Sequence, residues 1–235
     1  MILDTANLHT FVEAFRFIGD NQHFLLTKAL EQLELAGAAL LISAAIALPA
    51  GVVLGHYHRG ANVAIGTSIV GRGLPSLVLI ATFLTLLGIG FVNNMVALAV
   101  LGTGPILTNS FDGIDRVDRD AVEAARGMGM TDSQMLRRVE LPLAIPMIFT
   151  GIRVAAVTIV ATAPIAAVAG GGGLGDIIVN QASYRLAGVL GASLCVMALS
   201  AGVWGVLLAL QKGTTVRRLA AQRVGQTDNH GKETL

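Results

Sequence analysis

Five long apolar runs, near residues 33–55, 61–88, 92–111, 142–169 and 188–210, constrain this 235-residue chain more than any other feature. A bilayer core about 30 Å thick takes about 20 apolar residues per helix, so each run is long enough for one span. The expected fold class is therefore all-α and integral to a membrane. Composition agrees: hydrophobic residues make up 54%, charged residues 13%, and the mean hydropathy is +0.70, whereas soluble domains carry about 25% charged residues. The second run is too long for one straight helix and contains Arg72-Gly73-Leu74-Pro75. It is expected to kink or split there, which gives five spans or six.

Between the third and fourth runs lies a polar island, Asp112 to Glu140, whose local physics reads as two short helices around a glycine. Asp118 or Asp120 caps the first, and Gly129 takes the left-handed conformation that closes it. Thr131 and Gln134 match a capping box for the second, expected to end near Leu141 because Pro142 disfavours helical geometry before it. Ala121, Val122, Ala125 and Met128 lie at helical spacing on the first piece, and Met135, Leu136 and Val139 share a face on the second. Such a bent pair suits docking to another protein, and small alanines beside Glu123 permit close approach to a partner groove.

Charge asymmetry orients the spans. With the N-terminus outside, the inner side collects Arg59, Arg116, Arg119, Arg126, Arg137, Arg138, Lys212, Arg217, Arg218, Arg223 and Lys232, and the outer side Arg16, Lys28 and Arg185. The positive-inside rule then puts the polar island and the C-terminus in the cytoplasm. Residues 1–32 carry Glu13, Asp20 and Glu31, do not read as a cleavable signal peptide, and are expected to form an extracytoplasmic or interfacial segment. Residues 211–235 read as a cytoplasmic polar tail, disordered from Thr227, with no fused binding domain. The net charge of +1 gives no reason to expect a nucleic-acid partner.

Several absences narrow the mechanism. No acidic residue falls between Glu34 and Asp112 or between Glu140 and Asp176, so the spans lack the carboxylate relays of proton-coupled carriers. Gly170 to Gly173 is followed by Leu174-Gly175-Asp176, with no lysine to reach a phosphate, so the chain is not expected to hydrolyse ATP itself. The single Cys195 reads as a small packed hydrophobe. His56-Tyr57-His58 lacks further ligands nearby and reads as interfacial side chains at the end of the first span; no metal site is expected. Gly51 and Gly55 suit close helix packing within the subunit. Aromatic residues are only 5% of the chain, too few to build a ring cage for an organic cation.

The spacing Glu123-Ala124-Ala125, Gly129, Val139, Leu141-Pro142 resembles the EAA loop of permease subunits of binding-protein-dependent ABC importers, with Val139 where isoleucine is usual. The longer strings Glu123 to Met130, Val139 to Pro146, Gly151-Ile-Arg153 and Gly171 to Ile177 are similar to the osmoprotectant branch, importers of glycine betaine, carnitine, choline or proline betaine. The likeness covers roughly Leu33 to Leu210. It implies a type I ABC importer (MetI-like) transmembrane domain that pairs with a second permease, itself or a sister. ABC ATPase subunits would dock on the loop within 112–142, and an extracytoplasmic solute-binding protein would deliver the solute. No cofactor is expected on this chain; ATP and Mg belong to the partner ATPase. Gly170 to Gly175 is a simple loop or, on the resemblance, an outward gate including Gly173 and Gly175 with Asp176 as its polar end. Arg153, inside the fourth span, borders the pathway or bonds helix-end carbonyls; Arg72 and Pro75 are open in the same way. Other readings are a same-fold permease for another small solute such as an amino acid, and a non-transport membrane scaffold.

Overall fold

The structure, a computed structural model, describes residues 5–58, 66 and 75–230, with side chains at 9–58, 66 and 75–212. Among the described residues every regular element is helical: α1 (Thr5–Asp20), α2 (Gln22–His56), α3 (Ser76–Leu87), α4 (Phe91–Asp115), α5 (Arg119–Gly127), α6 (Asp132–Met135), a π turn (Leu136–Glu140), α7 (Leu141–Thr162), a 3-10 segment (Ala163–Ala169), α8 (Gly175–Val179) and α9 (Gln181–His230), which is broken at Arg185. Among the described residues four stretches are long and apolar enough to cross a membrane: Gln22–His56, Phe91–Asp115, Asp132–Ala169 and Gln181–Lys212. The second apolar run is described from Pro75 onward, as the 12-residue α3. Arg72 and the expected kink or split beside it lie outside the described residues, as do Arg59 and Lys232.

Small residues set the core. Side chains built at Gly51 and Gly55 of α2 would come within 2.7 Å of the Leu107 carbonyl oxygen and 2.9 Å of the Phe111 carbonyl oxygen of α4. Ser43 Oγ donates to the Ala99 carbonyl at 2.7 Å. Contacts that advance from 43 to 55 on α2 advance from 99 to 114 on α4, so the two helices run parallel. Gly151 presses α7 onto α4 in the same way, 2.9 Å from the Pro105 carbonyl oxygen. Water-driven burial is weak between helices in lipid, and close backbone approach replaces it. The glycine pair on α2 thus serves packing within the subunit. Leu35, Leu98, Ile106 and Ile159 fill the shared interior.

The N-terminal segment is helical from Thr5. α1 lies along α9, with Ala14 fully buried and Phe17 beside Gly188 and Gly191. The first span helix begins at Gln22, inside the segment expected to precede it. At the other end α9 continues to His230, where an irregular tail was expected from Thr227; residues 231–235 lie outside the described residues.

The helix expected to stop near Leu141 does not stop. Leu141 is helical (φ −60°, ψ −45°), and its N–H bonds the Leu136 carbonyl five residues back, so α6, the π turn and α7 form one continuous rod. A proline ring collides with the carbonyl four residues earlier and removes one N–H. One wide turn just before Pro142 moves those carbonyls aside, and the chain stays helical through a position that is biased against it.

Candidate functional site

The polar island folds as its caps dictate. Asp118 Oδ1 accepts from the Asp120 N–H at 3.0 Å and starts α5. At the far end the Met130 N–H reaches the Ala125 carbonyl (3.3 Å) and the Gly129 N–H the Arg126 carbonyl (3.0 Å), with Gly129 at φ +79°. These two bonds are a Schellman closure, which needs a left-handed residue where Gly129 stands. Thr131 and Gln134 exchange both bonds of the capping box, 3.0 and 3.4 Å. α5 and α6 therefore meet in a fixed bend, an elbow at one end of the bundle.

Each motif residue has a definite place in that elbow. Glu123, Ala124 and Gly129 are exposed, and Val139, Leu141 and Pro142 half-buried. Ala125 is 1% exposed; it packs against this chain and is not free for a partner groove, contrary to the alanine-stripe reading. Met128 stands 72% exposed at the tip. An exposed methionine beside exposed Glu123 and Ala124 gives the elbow an apolar point with a charged flank.

Behind the elbow lies a contact that the sequence reading passed over. His56 Nδ1 is 2.6 Å from Glu140 Oε2, with side chains 9% and 6% exposed, and His58 Nδ1 is 2.7 Å from Asp115 Oδ1. His56 is therefore buried and paired, not interfacial as its place at the end of an apolar run suggested. The two imidazoles serve two separate carboxylates, and among the described residues no group of three or more His, Cys, Asp or Glu side chains is placed to hold a metal ion. The available signal was a glutamate between Val139 and Leu141, which a membrane helix tolerates only with a partner.

The opposite end of the bundle carries the glycine-rich segment. Gly170, Gly172 and Gly173 are all left-handed (φ 74°, 71° and 76°). The Gly173 N–H donates to Glu31 Oε2 at 3.1 Å, and Lys28 Nζ donates to both Glu31 Oε2 and Asp176 Oδ2 at 2.8 Å. A side chain at Gly175 would collide with the Pro164 carbonyl oxygen. Gly173 and Asp176 thus meet α2 at Glu31 and Lys28, while Gly175 packs against Pro164 and Ala167 of the 3-10 segment.

Pro75 and Arg153 do not join them. Pro75 begins α3, whose other end leads through Gly88 to Gly90, and the Gly90 N–H bonds the Ala169 carbonyl at 3.2 Å. Twelve helical residues put Pro75 about 18 Å from that junction. Arg153 of α7 donates to Gln211 Oε1 at 2.8 Å and stands 5.9 Å from the centre of the Trp204 ring. Gln211 in turn donates to the Pro146 carbonyl at 3.1 Å, so Arg153 ties α7 to α9 through a side chain and a ring rather than through helix-end carbonyls.

A cavity of about 750 Å³ runs between α2, α7 and α9, lined by Leu25, Leu33, Leu40, Val160, Cys195 and Leu199 among others, with no charged side chain. A cationic solute finds no compensating group there. Tyr184 meets Phe17 and Phe24 at ring-centre distances of 6.3 and 6.0 Å; rings this close pack on one another and leave no slot between faces for a cation.

A chain of membrane-crossing helices with a capped polar elbow at one end defines an integral membrane subunit. The family model for the binding-protein-dependent transport system inner membrane component matches residues 47–219, and the chain belongs to that family. It is 36% identical to the carnitine transport permease protein OpuCB of Listeria monocytogenes, over 89% of this chain and 96% of that one. It is also 36% identical to the choline transport system permease protein OpuBB of Bacillus subtilis, over 85% and 93%. Among solved structures, the inward-facing MetNI methionine ABC transporter matches with a TM-score of 0.69 at 22% identity, covering 80% of this chain and 95% of that one; this likeness shows the fold. The chain is a multi-pass permease subunit of the type I ABC importer fold.

Proposed function

We propose that this permease imports a quaternary-ammonium osmoprotectant: glycine betaine, carnitine, choline or proline betaine. The observation that carries the coupling part of the reading is the elbow, a Schellman-closed helix offering Glu123, Ala124 and Met128 to solvent while its base continues unbroken into a span helix. ABC ATPase subunits dock there and hydrolyse ATP with Mg, while this chain holds neither. A second permease, a copy or a sister, completes the pathway, and an extracytoplasmic binding protein delivers the solute. The elbow faces the cytoplasm, with the N-terminus outside and the C-terminus inside, as the arginine count favours. Closing of the ATPases pushes the elbow, α7 carries the push into the membrane, and the Gly173, Gly175 and Asp176 segment opens or seals the outer end. Arg153 and Pro75 border this route without forming its gate. The solute class rests on the carnitine and choline permeases to which the chain is similar.

The test is uptake of radiolabelled carnitine, choline and glycine betaine by the complete transporter in vesicles, driven by ATP on the elbow side. Saturable uptake of at least one of them supports the reading. Uptake of an amino acid with none of the three would move the chain to the other solute class, and no ATP-dependent uptake of any solute would leave the scaffold reading standing.

A further inference from the structure

His56 and Glu140 lie outside the motif spacing that marks the elbow, yet theirs is the described carboxylate–imidazole contact buried on both sides. Glu140 is the last residue of the π turn, where the elbow becomes α7, and His56 is the last residue of α2. A carboxylate and an imidazole held 2.6 Å apart away from water separate only by leaving a polar group unsatisfied, so the two elements resist moving apart. At its other end α2 carries Lys28 and Glu31, which grip Gly173 and Asp176. α2 is 35 residues long, about 52 Å of helix between the two faces.

We propose that the His56–Glu140 pair is a positioning contact for transport: it makes the elbow and α2 move as one body, so that a push delivered at α5 reaches the Gly173–Asp176 segment through α2 as well as through α7. This inference rests on the elbow being the ATPase dock. His56 and Glu140 are positioning residues, since neither is proposed to touch solute or nucleotide.

The experiment uses the complete transporter carrying His56→Gln, Glu140→Gln, both together, or the exchanged pair His56→Glu with Glu140→His. Retention of the ATPase subunits and uptake of the osmoprotectant probes above are both measured. Each single substitution is expected to lower uptake at least tenfold with the ATPases still bound, and the double variant to lose no more than twofold beyond either single one. The exchanged pair is expected to regain uptake to within fivefold of the parent. A second readout follows motion: a cysteine at exposed Ser183, in a Cys195→Ala background, should change its thiol reactivity when ATP is added to the parent and not in the single variants. Single variants within twofold of the parent would overturn the proposal, as would losses that multiply in the double variant. Loss of the ATPases would overturn it too, by putting Glu140 in the dock itself. If the single variants do not accumulate in the membrane, the exchanged pair decides, and its failure to accumulate or transport counts against the link. The dock is judged separately by Glu123→Ala, where ATPases bound and uptake normal would refute the docking reading and leave the cycle at 56 and 140 to stand on its own numbers.

Discussion

Replacing Gly129 with valine separates backbone geometry from side-chain contact at the elbow. Gly129 sits at φ +79°, and a Cβ there would meet nothing within 4 Å. The cost of Gly129→Val is therefore chiefly conformational, since the position is exposed and its Cβ has open space. A left-handed residue with a Cβ costs about 1–2 kcal/mol, and strained positions of this kind span about 1–3 kcal/mol. That range corresponds to a shift of about 5–150-fold away from the closed bend. Uptake of labelled carnitine or choline, normalised to the amount of subunit in the membrane, should fall within that range. A graded series sharpens the test: Gly129→Asn, which tolerates the left-handed region, should stay within about threefold of the parent, and Gly129→Ala should fall between. Gly127→Val is the control, because Gly127 also has open space around it but does not have a left-handed φ. Normal uptake by Gly129→Val, or equal losses for asparagine and valine, would refute the claim that the Schellman closure positions the elbow.

Four further outcomes are expected. Single cysteines at Thr131 and Ser183, both exposed, in a Cys195→Ala background should react from opposite faces, so an impermeant thiol reagent on intact cells labels position 183 only; labelling at 131 would invert the topology. Gly51→Leu should cost at least the 1–3 kcal/mol typical of overpacking, since even a Cβ falls 2.7 Å from the Leu107 carbonyl oxygen, and membrane levels of the subunit should drop; unchanged thermal stability of the purified protein would contradict the close α2–α4 crossing. Lys28→Met should free the glycine-rich segment and raise the reactivity of a cysteine placed at Asn180, with no change meaning that the 2.8 Å contacts do not hold the segment. Calorimetric titration of the isolated permease with choline or glycine betaine should show no tight binding, because the 750 Å³ cavity lacks charge; submicromolar affinity would place recognition on this chain.

Much of the elbow was legible because its signals are local. Asp118, Gly129 and the Thr131–Gln134 pair each act within a few residues of themselves, so caps read from the chain reappear as the same hydrogen bonds in three dimensions. Pro142 misled for the opposite reason: its effect on Leu141 depends on whether the preceding turn can widen, and the π turn from Leu136 to Glu140 does so. Ala125 was read as partner-facing from its spacing, but which side of a short amphipathic helix meets its own bundle is settled by the packing of α5 on the body of the subunit.

By itself the sequence determined that the chain crosses a membrane in helices, since backbone polar groups have no other solution in hydrocarbon, and that the polar island bends at Gly129. It also carried the charge bias from which the orientation was argued. Only the tertiary structure decided which distant residues meet: Glu140 with His56, Asp176 with Lys28, Arg153 with Gln211 and Trp204. Each pair is separated by tens of residues or more and carries no periodic signal, because a buried charge specifies that it needs a partner and leaves the choice of partner to the helix packing that brings one within reach.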